Sequence, residues 1–463
     1  MKTLWLYLPL AWVLACCPVA HAQGGQNSEL DALREEIRSM REEYEARIAD
    51  LEARLDAAEQ AADSGAAKTS SSAAAVAGNA DYGSSANPSP QTVSVARDSA
   101  FNPAIGVTFQ GQAWSYDRDP GEYVIPGFPL GGEAGPAPEG LALAETEISI
   151  SANVDDKFTA MLTAPIAIED GDVHVELEEA WVETLGLPAG LAVRMGRFFS
   201  DIGYLNTRHF HAWDFADQPL VYQVFLGQQY LDDGLQLRWL APTDFYLELG
   251  GEILRGDRYP AGGAANSGFG ARTLSARTGG DIGFSSSWLL GLSWLGADAD
   301  ERTSGGEDDP LLFTGDSDLL IADFVWKWSP NGNWRQRNFT FQAEYLWRNE
   351  KGEYTVSDGT AGFWDTDQSG WYAQAVYQPF PRWRFGARYD RLSGDDPGDL
   401  WLDTPLYPLG GDPSRYSLMV DWSNSEFSRL RFQYNYDSAG VQDDNQFGLQ
   451  YIFSIGAHGA HSF

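Results

Sequence analysis

Cysteine is all but missing from this chain of 463 residues: the only two, Cys16 and Cys17, both sit in its N-terminal apolar segment. Whatever follows that segment is therefore held together without disulfides. Basic charge is scarce as well, with 31 Lys+Arg against 66 Asp+Glu and a formal net charge of −35. That balance argues against a nucleic-acid partner, which would need basic patches to displace counterions. Beyond the N-terminus no run approaches the roughly 18 to 20 apolar residues required by a membrane-spanning helix. A helical membrane protein is excluded by the same count.

What is present begins with an address. Lys2 supplies a positive start, Leu4 to Leu14 an apolar stretch, and Ala20-His21-Ala22 the small-x-small pattern of a cleaved secretory signal, so residues 1–22 read as a signal peptide. The alternative is a lipid anchor on Cys16 or Cys17, since Val13-Leu14-Ala15-Cys16 approximates a lipid-attachment signal.

Residues 28–62 are expected to form a periplasmic coiled coil. Leu30, Leu33, Ile37, Met40 and Tyr44 follow 3,4 spacing, and Ile48, Leu51, Leu55 and Ala58 resume it after a stutter. A helix this polar is marginal alone and gains stability by pairing with copies of itself or with a partner; a solvated single helix is the bland alternative. Residues 63–100, rich in Ala, Ser and Gly, lack apolar bulk and read as a flexible linker. With only a helix and a tether before the C-terminal region, there is no compact plug of the kind that fills TonB-dependent transporters.

From Phe101 to Phe463 the pattern changes to strands of about ten residues separated by turns. Phe339, Phe341, Ala343, Tyr345 and Trp347 alternate with Thr340, Gln342, Glu344, Leu346 and Arg348. Trp371, Ala373, Ala375 and Tyr377 repeat the alternation, as do Leu430, Phe432, Tyr434 and Tyr436 and the final Phe447, Leu449, Tyr451, Phe453 and Ile455. The chain carries 17 Trp, 20 Tyr, 24 Phe and 49 Gly. So many aromatics on one face fit a lipid-facing barrel better than a water-soluble sandwich. Taking 463 − 100 = 363 residues at roughly 22 per strand and turn gives about 16 strands. The expected fold is an all-β transmembrane barrel of about 16 antiparallel strands over residues 101–463, behind an N-terminal α-helical coiled coil.

The string Ala192-Val-Arg-Met-Gly-Arg-Phe-Phe-Ser-Asp-Ile-Gly203, preceded by Glu176-Leu-Glu-Glu-Ala-Trp181, resembles the phosphate-selective porins and their DcaP-like relatives. That resemblance implies a trimeric outer-membrane barrel of 16 strands, with an N-terminal coiled coil in the DcaP-like members. Asn206-Thr-Arg-His-Phe-His-Ala-Trp-Asp214 with Gln218-Pro-Leu220 is similar to a subgroup of such barrels described as zinc-regulated. One departure matters: the barrel region holds only Lys157, Lys327 and Lys351, not a ladder of lysines, so phosphate selectivity does not carry over.

A porin acts through a charged constriction rather than a catalytic centre. Strand alternation puts Arg238, Glu248, Glu252, Glu344, Arg382, Arg384, Arg388, Asp390, Asp421, Arg429 and Arg431 on the inner face as candidate pore-lining residues. The bland reading is that these charges merely neutralise one another in the wall. Residues 116–141 and 256–268, long and Gly/Pro-containing, are candidate constriction loops. For metal, His209 and His211 share a face of an extended chain, Asp214 and Asp217 lie near in sequence, and His458 and His461 form a second pair in the C-terminal tail. The competing reading is ordinary hydrogen bonding of His209 and His211 within a turn; apart from zinc at such a site, no cofactor is expected.

No Ser or acid stands in readable register with a His, so an enzyme is not expected. The expectation is an outer-membrane porin of a Gram-negative cell that passes small polar or charged solutes. Its partners would be membrane lipid and lipopolysaccharide, small-molecule solutes and, as the resemblance implies, two further copies in a homotrimer. The alternatives are a zinc-linked receptor and a sealed barrel that serves as an envelope anchor.

Overall fold

The computed structural model describes residues 103–131, 134–169, 172–262, 269–306, 309–409 and 411–456. The expected signal peptide, coiled coil and linker, and the His458/His461 tail, lie outside the described residues.

Among the described residues, eighteen hydrogen-bonded segments form one antiparallel sheet. Two pairs of segments are collinear. Gly140–Leu143 and Thr146–Asn153 both pair with Ala104–Tyr116, and Asp172–Val175 and Glu179–Thr184 both pair with Phe158–Glu169. Taking each pair as one broken strand leaves 18 − 2 = 16, the number expected.

In chain order the strands are β1 (Ala104–Tyr116), β2 (Gly140–Leu143 with Thr146–Asn153), β3 (Phe158–Glu169), β4 (Asp172–Val175 with Glu179–Thr184), β5 (Leu191–Phe199) and β6 (Leu231–Leu240). They continue as β7 (Tyr246–Leu254), β8 (Ala271–Ile282), β9 (Ser286–Ser304), β10 (Leu311–Trp328) and β11 (Asn338–Thr355). The set ends with β12 (Ala361–Phe380), β13 (Trp383–Gly394), β14 (Ser414–Ser425), β15 (Ser428–Asp437) and β16 (Asp444–Gly456).

β16 pairs with β1 from Gly106↔Gly456 to Tyr116↔Gln446, which closes the sheet on itself. Closure leaves the sheet without an open edge strand, so strand pairing runs all the way round the wall. The sequence alternation is realised as written: Tyr345, Trp347, Phe432, Phe447, Leu449 and Tyr451 stand exposed outside, while Gln342, Glu344, Arg431, Gln433, Asn435 and Gln450 are buried inside. The turns 154–157, 185–190, 241–245, 283–285, 381–382 and 426–427 are short and share one end of the barrel. Residues 200–230 and the described parts of the other long connections, 117–131, 134–139, 255–262, 269–270, 395–409 and 411–413, share the other.

Residues 200–230 decide the interior. At their centre is α1 (Leu220–Leu226), apolar nearly all round and buried at every position. Such a helix must be covered on all sides. Pro219 starts it and Gly227 ends it, with φ of 62° in the left-handed region that a glycine adopts without strain. The cover comes from inside the barrel. Leu295, Leu319, Ile321, Leu346, Tyr372 and Leu392 of β9 to β13 interrupt the polar inner face and form one core with Leu220, Val221, Val224, Phe225 and Leu226. Burial of this apolar surface is what draws the segment into the lumen.

Candidate functional site

The inserted segment is closed at its neck and clamped along its length. Ser200 donates its backbone N–H to the Tyr230 carbonyl at 3.0 Å, and Asn206 bridges both ends through its side-chain amide. Glu344 on β11 accepts from the backbone N–H groups of Tyr204 and Leu205 at 3.1 and 3.0 Å and from the hydroxyls of Tyr222 and Tyr372 at 2.9 and 2.5 Å. Asp390 on β13 accepts from the backbone N–H of Leu220 at 3.0 Å, supplying the N-terminal cap that Pro219 lacks.

Arginines on the wall hold the acids of the segment. Arg277 of β8 pairs with Asp201, Arg384 of β13 with Asp214 at 2.7 Å, and Arg388 with Asp217 at 2.7 Å. Burial alone would raise the Asp201 and Asp217 carboxyls, but Arg277 in the first case, and Arg388 and Arg415 in the second, hold both below the usual carboxylate range. Arg429 and Arg431 donate to the carbonyl of Trp213 at 3.2 and 2.7 Å. Arg348 of β11 donates to Tyr259 at 2.6 Å and lies over the Phe225 ring at 4.9 Å, so the 255–270 connection is tied to α1 as well.

The sequence-derived pore residues thus divide by role. Glu252, Glu344, Arg384, Arg388, Asp390, Asp421, Arg429 and Arg431 do face inward, but they bind the segment or one another: Glu252 takes the Asp201 N–H at 2.8 Å and Asp421 pairs with Arg384 at 2.6 Å. Arg238 pairs with Glu183 at 2.7 Å, and Glu248 stands half-buried beside it on β7. Arg382 is a correction. It lies exposed in the turn between β12 and β13 with φ of 75°, because the strand ends at Phe380 and the alternation does not run through the turn. The expected loops 116–141 and 256–268 contribute Ile125, Phe128, Tyr259 and Ala261 as buried packing, while residues 200–230 fill the lumen. The signal for that was an apolar run between Pro219 and Gly227 in a long connection.

Between the inserted segment and the wall of β1, β2, β15 and β16 a cavity of ≈ 260 Å³ remains. Its lining is aromatic, amide and acidic. Trp114, Tyr116, Tyr123, Phe210 and Trp213 share it with Gln112, Gln218, Gln223, Gln228, Gln229 and Gln446. Glu145, Glu178, Asp217 and Asp437 face one guanidinium, Arg415. None of the eleven sequence-derived pore residues lines this space.

On the flank of the cavity the two loop histidines meet the wall. His209 Nδ1 is 3.2 Å from Glu178 and 3.4 Å from Glu147, its Nε2 is 3.1 Å from Glu179, and His211 Nδ1 is 2.9 Å from Glu147. The rings stack at 5.6 Å. Burial works against a charged imidazole at His209, but Glu147, Glu178 and Glu179 outweigh it and hold its pKa well above the ordinary value. Asp214 does not join this group; its carboxylate is taken by Arg384. Asp217, likewise, is held by Arg388 and Arg415. Glu147, Glu178 and Glu179 were missed as ligand candidates because they lie on distant strands, and nothing in local spacing connects them to His209.

No family model matches the chain. Among solved structures it is similar to the outer membrane channel DcaP of Acinetobacter baumannii, with 13% identity over 76% of this chain and 97% of that one and a TM-score of 0.48. It is similar to OprB of Pseudomonas putida, at 12% identity over 76% and 94% and a TM-score of 0.48, and to an anion-selective porin from Comamonas acidovorans, at 9% identity over 76% and 99% and a TM-score of 0.46. A protein of Aquifex aeolicus (strain VF5) described as uncharacterized is 33% identical over 348 residues, 70% of each chain. At that identity and coverage, the chain belongs to the family of this Aquifex aeolicus protein.

Proposed function

We propose that this protein is an outer-membrane porin that passes small polar solutes along the cavity between the inserted segment and β1, β2, β15 and β16, favouring neutral and cationic solutes over anions. The observation that carries the reading is the lining: four carboxyl groups face one guanidinium, and six glutamines and five aromatic rings make up most of the rest. Amide and aromatic groups hold polar solutes without charge selection, and the lining offers a permeating anion a single guanidinium, Arg415, which is itself paired with Asp217. The outward face supports the membrane, since exposed Leu, Phe, Tyr and Trp alternate with buried polar residues around a closed sheet. The short turns lie at the end where β1 begins, which is the periplasmic end in barrels of this kind.

A homotrimer is part of the same proposal. The breaks at residues 144–145 and 176–178 lie in β2 and β4, the two strands that flank β3. Irregular backbone at membrane depth is stable against protein rather than against lipid, so this quadrant suits a contact with further copies. Cross-linking of the purified protein would read the copy number directly.

The test is conductance of the purified protein in a planar bilayer with a salt gradient. Stepwise conductance with a cation-favouring reversal potential is the expected result. An anion-favouring potential would overturn the selectivity, and a silent bilayer would favour a sealed barrel serving as envelope anchor.

A further inference from the structure

We propose that Glu147, Glu178 and His209 bind one divalent transition-metal ion of the zinc class, with His211 as a further ligand, and that this ion ties the inserted segment to the barrel wall. Ligand atoms of Glu147, Glu178 and His209 all lie within 4.8 Å of one another. Nitrogen and oxygen ligands about 2.0 to 2.2 Å from a tetrahedral ion stand roughly 3.3 to 3.5 Å apart. His209 Nδ1 is 3.2 Å from Glu178 and 3.4 Å from Glu147, and His211 Nδ1 approaches the same oxygen of Glu147 at 2.9 Å.

A second observation is independent of these distances. In a regular strand, successive side chains point to opposite faces, so Glu178 and Glu179 could not serve one imidazole. The break of β4 at residues 176–178 removes that restriction, and the two neighbours reach opposite nitrogens of His209. Glu179 takes Nε2 and is itself held by the indole N–H of Trp181 at 3.0 Å. A carboxylate behind the far nitrogen of a histidine fixes the ring and raises its basicity, the usual outer support of a ligating imidazole.

The donor set selects the ion. Mixed imidazole and carboxylate suits Zn²⁺ and its neighbours, whereas Mg²⁺ and Ca²⁺ call for six or more oxygens. Access comes from the cavity, since Glu178 is part of its lining. Because His209 and His211 belong to the inserted segment and Glu147 and Glu178 to the wall, a bound ion cross-links the two.

The experiment uses the full chain in detergent, stripped of metal by a chelator, with Co²⁺ as the optical probe and Zn²⁺ in isothermal titration. One ion per chain with visible ligand-field bands is expected. Glu147→Gln and Glu178→Gln are each expected to weaken binding by about tenfold or more, while the double variant His458→Ala/His461→Ala binds as the parent does. Absence of bands and of heat overturns the proposal, as does binding unchanged in both glutamine variants or abolished by the tail variant. Should Glu147→Gln fail to fold, Glu178→Gln decides, because its side chain is less buried, 14% against 7% exposed. Conductance is not the readout, so a negative result here leaves the passage standing.

Discussion

Asp214 of the inserted segment and Arg384 of β13 meet at 2.7 Å, and the same guanidinium holds Asp421 of β14 through Nε at 3.0 Å and Nη2 at 2.6 Å. One arginine thus fastens the segment to two strands, using its fork on the wall and its remaining amine on the loop. Removing a partner from a buried ion pair leaves an uncompensated charge, at about 3 to 5 kcal/mol. Arg384→Ala is therefore expected to lower the temperature at which the folded barrel loses its compact electrophoretic mobility and to add fast fluctuations to the open channel. Arg384→Lys should rescue poorly, since an ammonium cannot serve both oxygens of Asp421 and reach Asp214. Full rescue by lysine would show that charge alone, not the fork, does the holding.

Glu344 receives four donors from the segment and the wall. Glu344→Ala orphans all four, each a loss of about 1 to 3 kcal/mol when left buried and unpaired. The expected outcome is a loss of folded barrel larger than that of Arg384→Ala, measured in the same electrophoretic assay. A smaller loss would mean that α1 holds its place by apolar packing alone.

Much of this fold is legible in the sequence, and the reason is periodicity. A strand exposed on both faces to different media must alternate, and the residues from Phe339 to Arg348 did so on paper as they do in space. The exceptions carried the missing information: Leu346 breaks the polar inner face of β11, and it packs with α1. The candidate site was less legible. His209 and His211 stood out, yet Glu147 and Glu178 are brought to them by closure of the barrel and by a strand break, neither of which has a local signature. Alternation reports which face a residue takes and says nothing of what fills the lumen against it, so the contacts of the inward arginines with the segment have no signal in the strand pattern.

Acid should loosen the segment. Asp201 and Asp217 have carboxyls held below the usual range by their arginine partners. A group with a depressed folded pKa contributes stability that is present above its unfolded value, about 3.9, and is lost as pH falls through the folded value. Conductance noise and barrel stability are therefore expected to be unaffected by these two groups from neutral pH down to about pH 5 and to change below about pH 4. The check is a conductance series across that interval with Asp201→Asn for comparison, whose response below pH 4 should be blunted.

Selectivity in a salt gradient tests the cavity lining against the turn between β12 and β13. Gln112 of β1 borders the cavity proposed as the passage, whereas Arg382 is exposed in a turn. A unit charge about 4 Å from a passing ion is worth about 1 kcal/mol even in water, roughly fivefold in a permeability ratio. Gln112→Lys is expected to move the reversal potential in a salt gradient toward anions by that order. Arg382→Gln, which removes a charge from the turn, is expected to leave it in place. If Arg382→Gln moves the potential and Gln112→Lys does not, ions take another route through the barrel, one that passes the short-turn end near β12 and β13 and bypasses the space beside β1.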